Sequence, residues 1–348
     1  IKAPFLHDHE VNSQGVESPN LAGVDSLGLT NPSSIIAKMQ AYNENYSFFG
    51  SFDFKYEISS YLSAKTIFGI TFNKLRENIF VPAAGVAKDT LSNAIAFNRS
   101  GTQTKRLFSV YSDTRLEYTK KFNLEHSLAA RLGMRYQSNK AERVFALGYN
   151  SATDELVSVQ NGLAALRQVG GGIGEWNWLN LYFNADYAFR DKYFLSLNVA
   201  MDGSSRFGKE APDGISINGY KFPVMPSISG AWLVSSERFM AGTGINLLKL
   251  RGSYSVAGND DIGNYSARQT YVSQNLLGMQ GLVRNGIANP ALQWETVKRM
   301  NAGADLSILN DRLGLSVDVY QSKISDLLVY ETLPTAAGFS SMLTNGGG

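Results

Sequence analysis

Three histidines, His7, His9 and His126, are the natural general bases of a chain that contains no cysteine. His7-Asp8-His9 sets two imidazoles around a carboxylate, but no further ligand is nearby and a solvated loop accounts for the triplet. His126 follows an expected tight turn, with no Ser or Asp at a catalytic spacing. G-N-D-D-I-G-N (258–264) crowds Asn259, Asp260, Asp261 and Asn264, oxygen donors of the kind calcium takes. It lacks EF-hand spacing, and a hydrogen-bonded turn at a strand end explains it equally. Gly170-Gly171-Gly172 with Gly174 would need a following helix and a Lys-Ser/Thr pair to cradle phosphate. With neither present, it is expected as a flexible loop. No nucleophile–base pair emerges, so the expectation is no enzyme, no metal and no cofactor.

Trp176 and Trp178 are the substrate-contact candidates. Both stand at the start of a strand on its polar-facing parity. Their rings could stack on a sugar or pack a peptide; packing against loops or another domain is the alternative. Lys249, Arg251, Arg131 and Arg135 alternate with Asp53, Asp113, Glu117 and Asp305 on the same kind of face. They are expected to make ion pairs within that wall or with another domain that packs on it rather than to define a substrate.

Strands must position these residues. In LNLYFNADYAFRDKYFLSLNVAMDGSS (179–205), Leu179, Leu181, Phe183, Ala185, Tyr187 and Phe189 alternate with mostly polar neighbours. After Arg190-Asp191-Lys192, Tyr193, Leu195, Leu197, Val199 and Met201 resume the pattern. Period two means a strand with two chemically different faces. Alternation recurs at 46–58, 62–72, 107–119, 124–136, 226–234, 248–256, 294–306 and 313–319, about ten strands in all. Connections alternate too. They are short near Ser59, Lys120, Asp191, 235–247 and Asn310, and long at roughly 73–105, 138–175, 204–222 and 257–292.

A strict short–long alternation puts tight turns at one end and large loops at the other, as in outer-membrane barrels. Runs of this length suit a tilted membrane crossing better than the roughly five or six residues usual in soluble sheets. The fold class expected is therefore all-β, a transmembrane antiparallel β-barrel. Tyr187, Phe189 and Tyr193 would join an aromatic girdle near the tight turns. No apolar run approaches the roughly 18 residues of a membrane helix. A net charge of +2 gives no argument for nucleic acid.

Several stretches go beyond pattern: MDGSSRFGKE (201–210), FPVMPSISGAW (222–232), LKLRGSYSVAGNDDIGNYSARQTY (248–271) and the run from NPALQWETVKRMN to the end (289–348). Together they resemble the barrel of the SusC/RagA-like TonB-dependent transporters of Bacteroidota outer membranes. The resemblance covers about 190–348 and, more weakly, 31–75, where NPSSIIAKMQAYN precedes a strand. The loops 76–103 and 138–175 match nothing in it, and FPVMPSISGAW departs slightly from the usual Phe-Pro-Ser run.

The resemblance implies a barrel of about 22 strands around an N-terminal plug. It also implies a TonB box that draws energy from the inner membrane and a SusD-like surface lipoprotein on the extracellular face. Plug and TonB box are not found between Ile1 and Gly348, so the chain is expected to be an excerpt. The division expected is 1–44 extracellular loop, 45–328 partial barrel and 329–348 the start of the next loop. The partners expected are the SusD-like lipoprotein, TonB through a segment outside this chain, outer-membrane lipid and other outer-membrane subunits. The function implied is import of a bulky nutrient, a glycan or an oligopeptide. A non-transporting scaffold in a larger outer-membrane complex is the alternative, and a soluble β-rich adhesin is a third.

Overall fold

The structure is a computed structural model that describes residues 7–25 and 27–347. Ten strands form one antiparallel sheet, joined in simple sequence order. They are β1 (Gln40–Ser59), β2 (Leu62–Val81), β3 (Arg99–Lys121), β4 (His126–Tyr149) and β5 (Gln168–Phe189), followed by β6 (Tyr193–Ser204), β7 (Val224–Leu233), β8 (Ile245–Asn259), β9 (Glu295–Ile308) and β10 (Leu313–Ser325). β1 and β10 end the order, each with a single neighbour. Among the described residues no helix is long and apolar enough to cross a membrane.

Tight connections at 60–61, 122–125, 190–192 and 309–312 alternate with long ones at 82–98, 150–167, 205–223 and 260–294. The fifth connection on the tight side, 234–244, folds as two short 3₁₀ turns. The expected alternation therefore stands. The tight turns bend through left-handed backbone at Arg190 and Asp191 (φ 55° and 52°) and at Leu309, Asn310 and Asp311 (φ 59°, 55° and 63°). Asn and Asp tolerate that region better than most residues.

Contacts divide the chain into two units. The first holds Ile1–Gly50, Ile70–Ser109 and Asn139–Gly174; the second holds Ser51–Gly69, Val110–Ser138 and Glu175–Gly348. In the first, a helix at Pro32–Lys38 opens on Asn31, whose side chain caps the Ser33 amide. The same side chain donates to the carbonyls of Asp8 and Ala22, 2.7 and 2.9 Å away. Asp154 clasps the 82–98 connection, accepting from the amides of Ala83 and Ala84 at 2.8 and 3.0 Å.

In the second unit the register fixes both faces. Leu197 lies across from Ala185 and Ile228, and Asn198 across from Asn184 and Ser227. The buried core is small: Ile262, Ala267 and Leu292, with Phe207, Leu328 and Leu343 around them. The large hydrophobic residues of the sheet are instead exposed, Phe52 by 75% and Val319 by 70%. In water so wide an apolar surface would be a liability. Against lipid it is the expected exterior of a membrane barrel.

Four expectations need correction. β2 to β5 run 20 to 24 residues, well beyond the alternating stretches. At roughly 3.3 Å per residue they outreach the hydrocarbon, and past it polar residues occupy both faces, so alternation loses its signal. Gly170, Gly171, Gly172 and Gly174 lie inside β5 rather than in a flexible loop. A Cβ on Gly170 would press the Phe145 ring, 2.7 Å away, and one on Gly171 would overlap the Arg143 carbonyl. These glycines permit close approach of strands. The stretch expected as an extracellular loop over 1–44 contains a hairpin (His9–Val11 with Glu17–Leu21) and the helix, and β1 begins inside it; residues 1–6 and 26 lie outside the described residues. Finally, Ser341–Gly346 pairs back on Leu327–Thr332 as a hairpin, and Gly348 lies outside the described residues.

The girdle forms in the second unit. Rings of His126 and Phe189 lie 4.8 Å apart, Phe189 and Tyr193 6.0 Å, Tyr193 and Trp232 6.1 Å. Their polar tips converge on Glu237, which accepts from the Tyr193 hydroxyl at 2.7 Å, Lys192 at 3.1 Å and the Trp232 indole at 3.2 Å.

The facing assignment predicts that Leu197→Arg destabilises the folded barrel by about 2 to 4 kcal/mol, whereas Asn198→Arg costs much less. Urea unfolding of the full-length protein in lipid measures both, and equal losses would overturn the assignment. The Tyr193 hydroxyl, then Lys192 and Trp232, hold the Glu237 carboxyl below its ordinary range. Its contribution is therefore fully present above the unfolded value and is lost as pH falls through the lower folded value. The ¹⁵N indole resonance of Trp232 should hold steady from neutral pH through the usual glutamate range and shift only below it; Glu237→Gln should abolish that late shift.

Candidate functional site

The polar face of the second unit is a connected set of charges. Asp113 has a side chain only 3% exposed. It accepts from the Tyr182 hydroxyl at 2.9 Å, from Arg135 Nε at 3.1 Å and from Arg115 Nη1 at 3.3 Å. Arg115 also donates through Nε to Glu117 at 2.6 Å. A buried carboxylate without partners would be strongly unfavourable, and here two guanidiniums and two hydroxyls, the second from Tyr111 at 3.4 Å, compensate it. Room for Tyr182 comes from Gly133, where a Cβ would stand 2.6 Å from the Tyr182 oxygen and 2.8 Å from Arg115 Cβ.

A second cluster repeats this design. Arg251 forks onto Asp318 with contacts of 2.6 and 2.8 Å and reaches Asp305 at 3.2 Å. Ser316 donates to Asp305 at 2.6 Å. Gly303 lies across from Arg251, and a Cβ there would meet the guanidinium carbon at 2.8 Å. Of the wall charges, Arg251 pairs with Asp305 and Arg135 with Asp113 as expected, and Asp53 pairs with Lys65 at 2.8 Å; among the described residues Lys249 and Arg131 make no ion pair. Beside Arg251, a cleft of about 280 Å³ is lined by Phe194, Ser196, Ser229, Lys249, Ser253 and Asn301. The buried Asn301 Oδ1 has no hydrogen-bond partner among the described residues.

Trp176 and Trp178 take the polar-face parity, both half-buried, and Trp178 lies across from Ser204. One face of Trp176 is covered: the Arg206 guanidinium sits 4.5 Å from the ring centre. Arg206 in turn donates to Asn264 Oδ1 at 3.1 Å and to the Asp260 carbonyl at 3.0 Å. The acidic and amide groups of 258–264 thus hold an arginine, and Asn259 caps the Asp261 amide at 3.0 Å. Among the described residues no group of three His, Cys, Asp or Glu could hold a metal ion. His126 Nδ1 is 2.6 Å from the Tyr187 hydroxyl, within the girdle. His7 and His9 pair with different carboxylates, Glu17 at 2.8 Å and Asp8 at 3.2 Å.

Three contributors were not apparent from sequence: Arg206 as the cover of Trp176, Tyr182 as a partner of Asp113, and Asp318 as the fork for Arg251. Each pairing spans residues far apart in the chain. Only the glycines Gly133 and Gly303, isolated within strand patterns, could have hinted at close approach.

A family model described as TonB dependent receptor-like, beta-barrel matches residues 5–347. TonB-dependent receptor P3 of Formosa agariphila is 29% identical over 341 residues, 96% of this chain and 32% of that protein. TonB-dependent receptor SusC of Bacteroides thetaiotaomicron is 28% identical over 178 residues, 48% of this chain and 17% of that protein. Among solved structures, the RagAB peptide transporter superposes with a TM-score of 0.78 at 21% identity, covering 98% of this chain and 36% of that one. That likeness shows the fold. The chain spans about a third of the length of the first of these relatives.

Arg206→Gln removes the cover of Trp176 and a bond to Asn264. It should loosen the 260–294 connection by about 1 to 3 kcal/mol. Limited proteolysis of the full-length protein would report faster cleavage there, and an unchanged rate would show that Arg206 is no anchor.

Proposed function

The chain belongs to the TonB-dependent receptor-like β-barrel family of the outer membrane, and we propose that it serves TonB-dependent import of a bulky nutrient, a glycan or an oligopeptide, with a SusD-like surface lipoprotein as partner. The observation that carries this reading is the match to TonB-dependent receptors across nearly the whole chain, SusC among the relatives. The solved RagAB neighbours are described as a peptide importer, which supports an oligopeptide as one cargo.

The wall chemistry suits a passage rather than a reaction. Most of its charges lie against charges of opposite sign, so a polar cargo meets hydrogen-bonding groups without a strong field of either sign. Serine hydroxyls and Lys249 offer weak, replaceable contacts in the cleft beside Arg251. Trp178 would supply a stacking face at the long-loop end of β5.

A scaffold role uses the same barrel wall, and the two readings separate by experiment. Deleting the TonB box of the full-length protein should abolish uptake of a labelled oligopeptide or glycan while leaving the barrel folded. Normal uptake after deletion would reject TonB-dependent import. Affinity purification from membranes should bring down one SusD-like lipoprotein; several unrelated subunits without it would favour the scaffold.

A further inference from the structure

The first unit carries a basic patch on its apolar face that neither core packing nor passage of cargo uses. Along β2 the outward parity runs from Phe72 to Lys74 and Arg76, toward the long connection at 82–98. β3 descends from that connection, and on it Arg106 precedes Phe108 on the same parity. Phe72 is 37% exposed and Phe108 44%. The three cations therefore sit one or two steps past the last aromatics of the apolar face.

The neighbouring contacts set their alignment. Thr102 donates to Asn78 at 2.8 Å, and Gln103 donates to Glu77. Both contacts belong to one antiparallel register, which continued along the strands places Lys74 across from Arg106. Like charges directly opposite one another repel. Glu142 reaches Arg106 only at 4.0 Å. Among the described residues no acidic side chain makes an ion pair with Lys74 or Arg76. An anion between the cations would turn a repulsive arrangement into an attractive one.

Next to Arg76 opens a cleft of about 420 Å³ lined by Gln40, Tyr42, Asn78 and Thr102, with Val157–Val159 along its edge. It lies on the outward face: Val159 packs over Gly148, which shares the parity of Glu142, and a Cβ on Gly148 would come 3.1 Å from Val159 Cα. The Thr102 hydroxyl and the Tyr42 phenol give their protons to Asn78 and, at 2.6 Å, to Glu44, which leaves their oxygens as acceptors; with the Gln40 and Asn78 amides and the Arg76 guanidinium they match the hydroxyls and phosphate of a phosphorylated sugar. Just beyond the apolar band, such a group belongs to a lipid headgroup.

We propose that this patch docks a phosphorylated glycolipid of the outer leaflet: Arg76, Lys74 and Arg106 take a phosphate, and the adjoining cleft takes the sugar. The proposal rests on the outer-membrane reading under Proposed function and on the general rule that such barrels carry their long connections on the extracellular side.

The test uses the full-length protein purified in detergent, with native mass spectrometry of added lipids. The probes are bisphosphorylated lipid A, the same lipid dephosphorylated, phosphatidylglycerol and inorganic phosphate. The wild-type protein should retain bisphosphorylated lipid A at least about tenfold better than the dephosphorylated form, and Arg76→Gln or the triple change K74Q/R76Q/R106Q should remove that preference. Equal retention with and without phosphate overturns the proposal. So does retention unchanged in both variants, equal binding of phosphatidylglycerol, or binding of inorganic phosphate alone. The comparison of lipids on the wild-type protein needs no variant to fold. A protein that stayed soluble without detergent would instead reject the membrane reading itself.

Discussion

A peptide group in hydrocarbon has no water to bond, so every strand of a membrane sheet depends on its neighbours for its hydrogen bonds. The rest of this structure follows from that constraint. It demands unbroken cross-strand pairing, and pairing imposes period two, so each strand presents one face to lipid and one to the interior. It also fixes who meets whom. Asp113 is reached by Arg135 and Tyr182, and Arg251 by Asp305 and Asp318, only because register brings those residues level. β1 and β10 show the constraint from the other side: among the described residues each ends the order with one edge unpaired, and such an edge in lipid costs several kcal/mol per unmet group.

Charge on the polar face is organised by shape as much as by sign. An arginine fork needs lateral room, and on a pleated surface the residue across from it normally occupies that room. Gly303 and Gly133 vacate it, letting Arg251 lie toward Asp318 and Tyr182 lie over Asp113. For exposed pairs such as Lys55 with Glu57 the gain is small. For Asp113 the partners matter more, since a carboxylate so enclosed would be costly alone.

The sequence was informative where chemistry alternates and silent where it does not. Alternation located all ten strands, the tight turns and both faces, because lipid and interior select opposite residue types at adjacent positions. The motifs over 201–210, 222–232 and 248–271 pointed to the family through local identity. Strand ends were lost because beyond the hydrocarbon both faces are wet, as at Asn73, Lys74 and Arg76. Gly170 to Gly172 resembled a loop by composition; the nearness of Phe145 and Arg143 explains Gly170 and Gly171, and nothing in the structure explains Gly172. Of the aromatic candidates, parity was legible for Trp176 and Trp178. The arginine lying on Trp176 was not, because Arg206 comes from beyond the next strand.

The two ends of the sheet differ in how freely their chemistry can vary. At one end four of the five connections reverse within two to four residues, and Leu309, Asn310 and Asp311 all take left-handed backbone to do so. An inserted residue there would slip a strand and turn its side chains to the opposite face. At the other end the connections are long, and added length in a loop costs little. The surface that the long connections present can therefore diversify while the rest of the wall is inherited unchanged, so a lineage could change what that end meets without solving membrane insertion again.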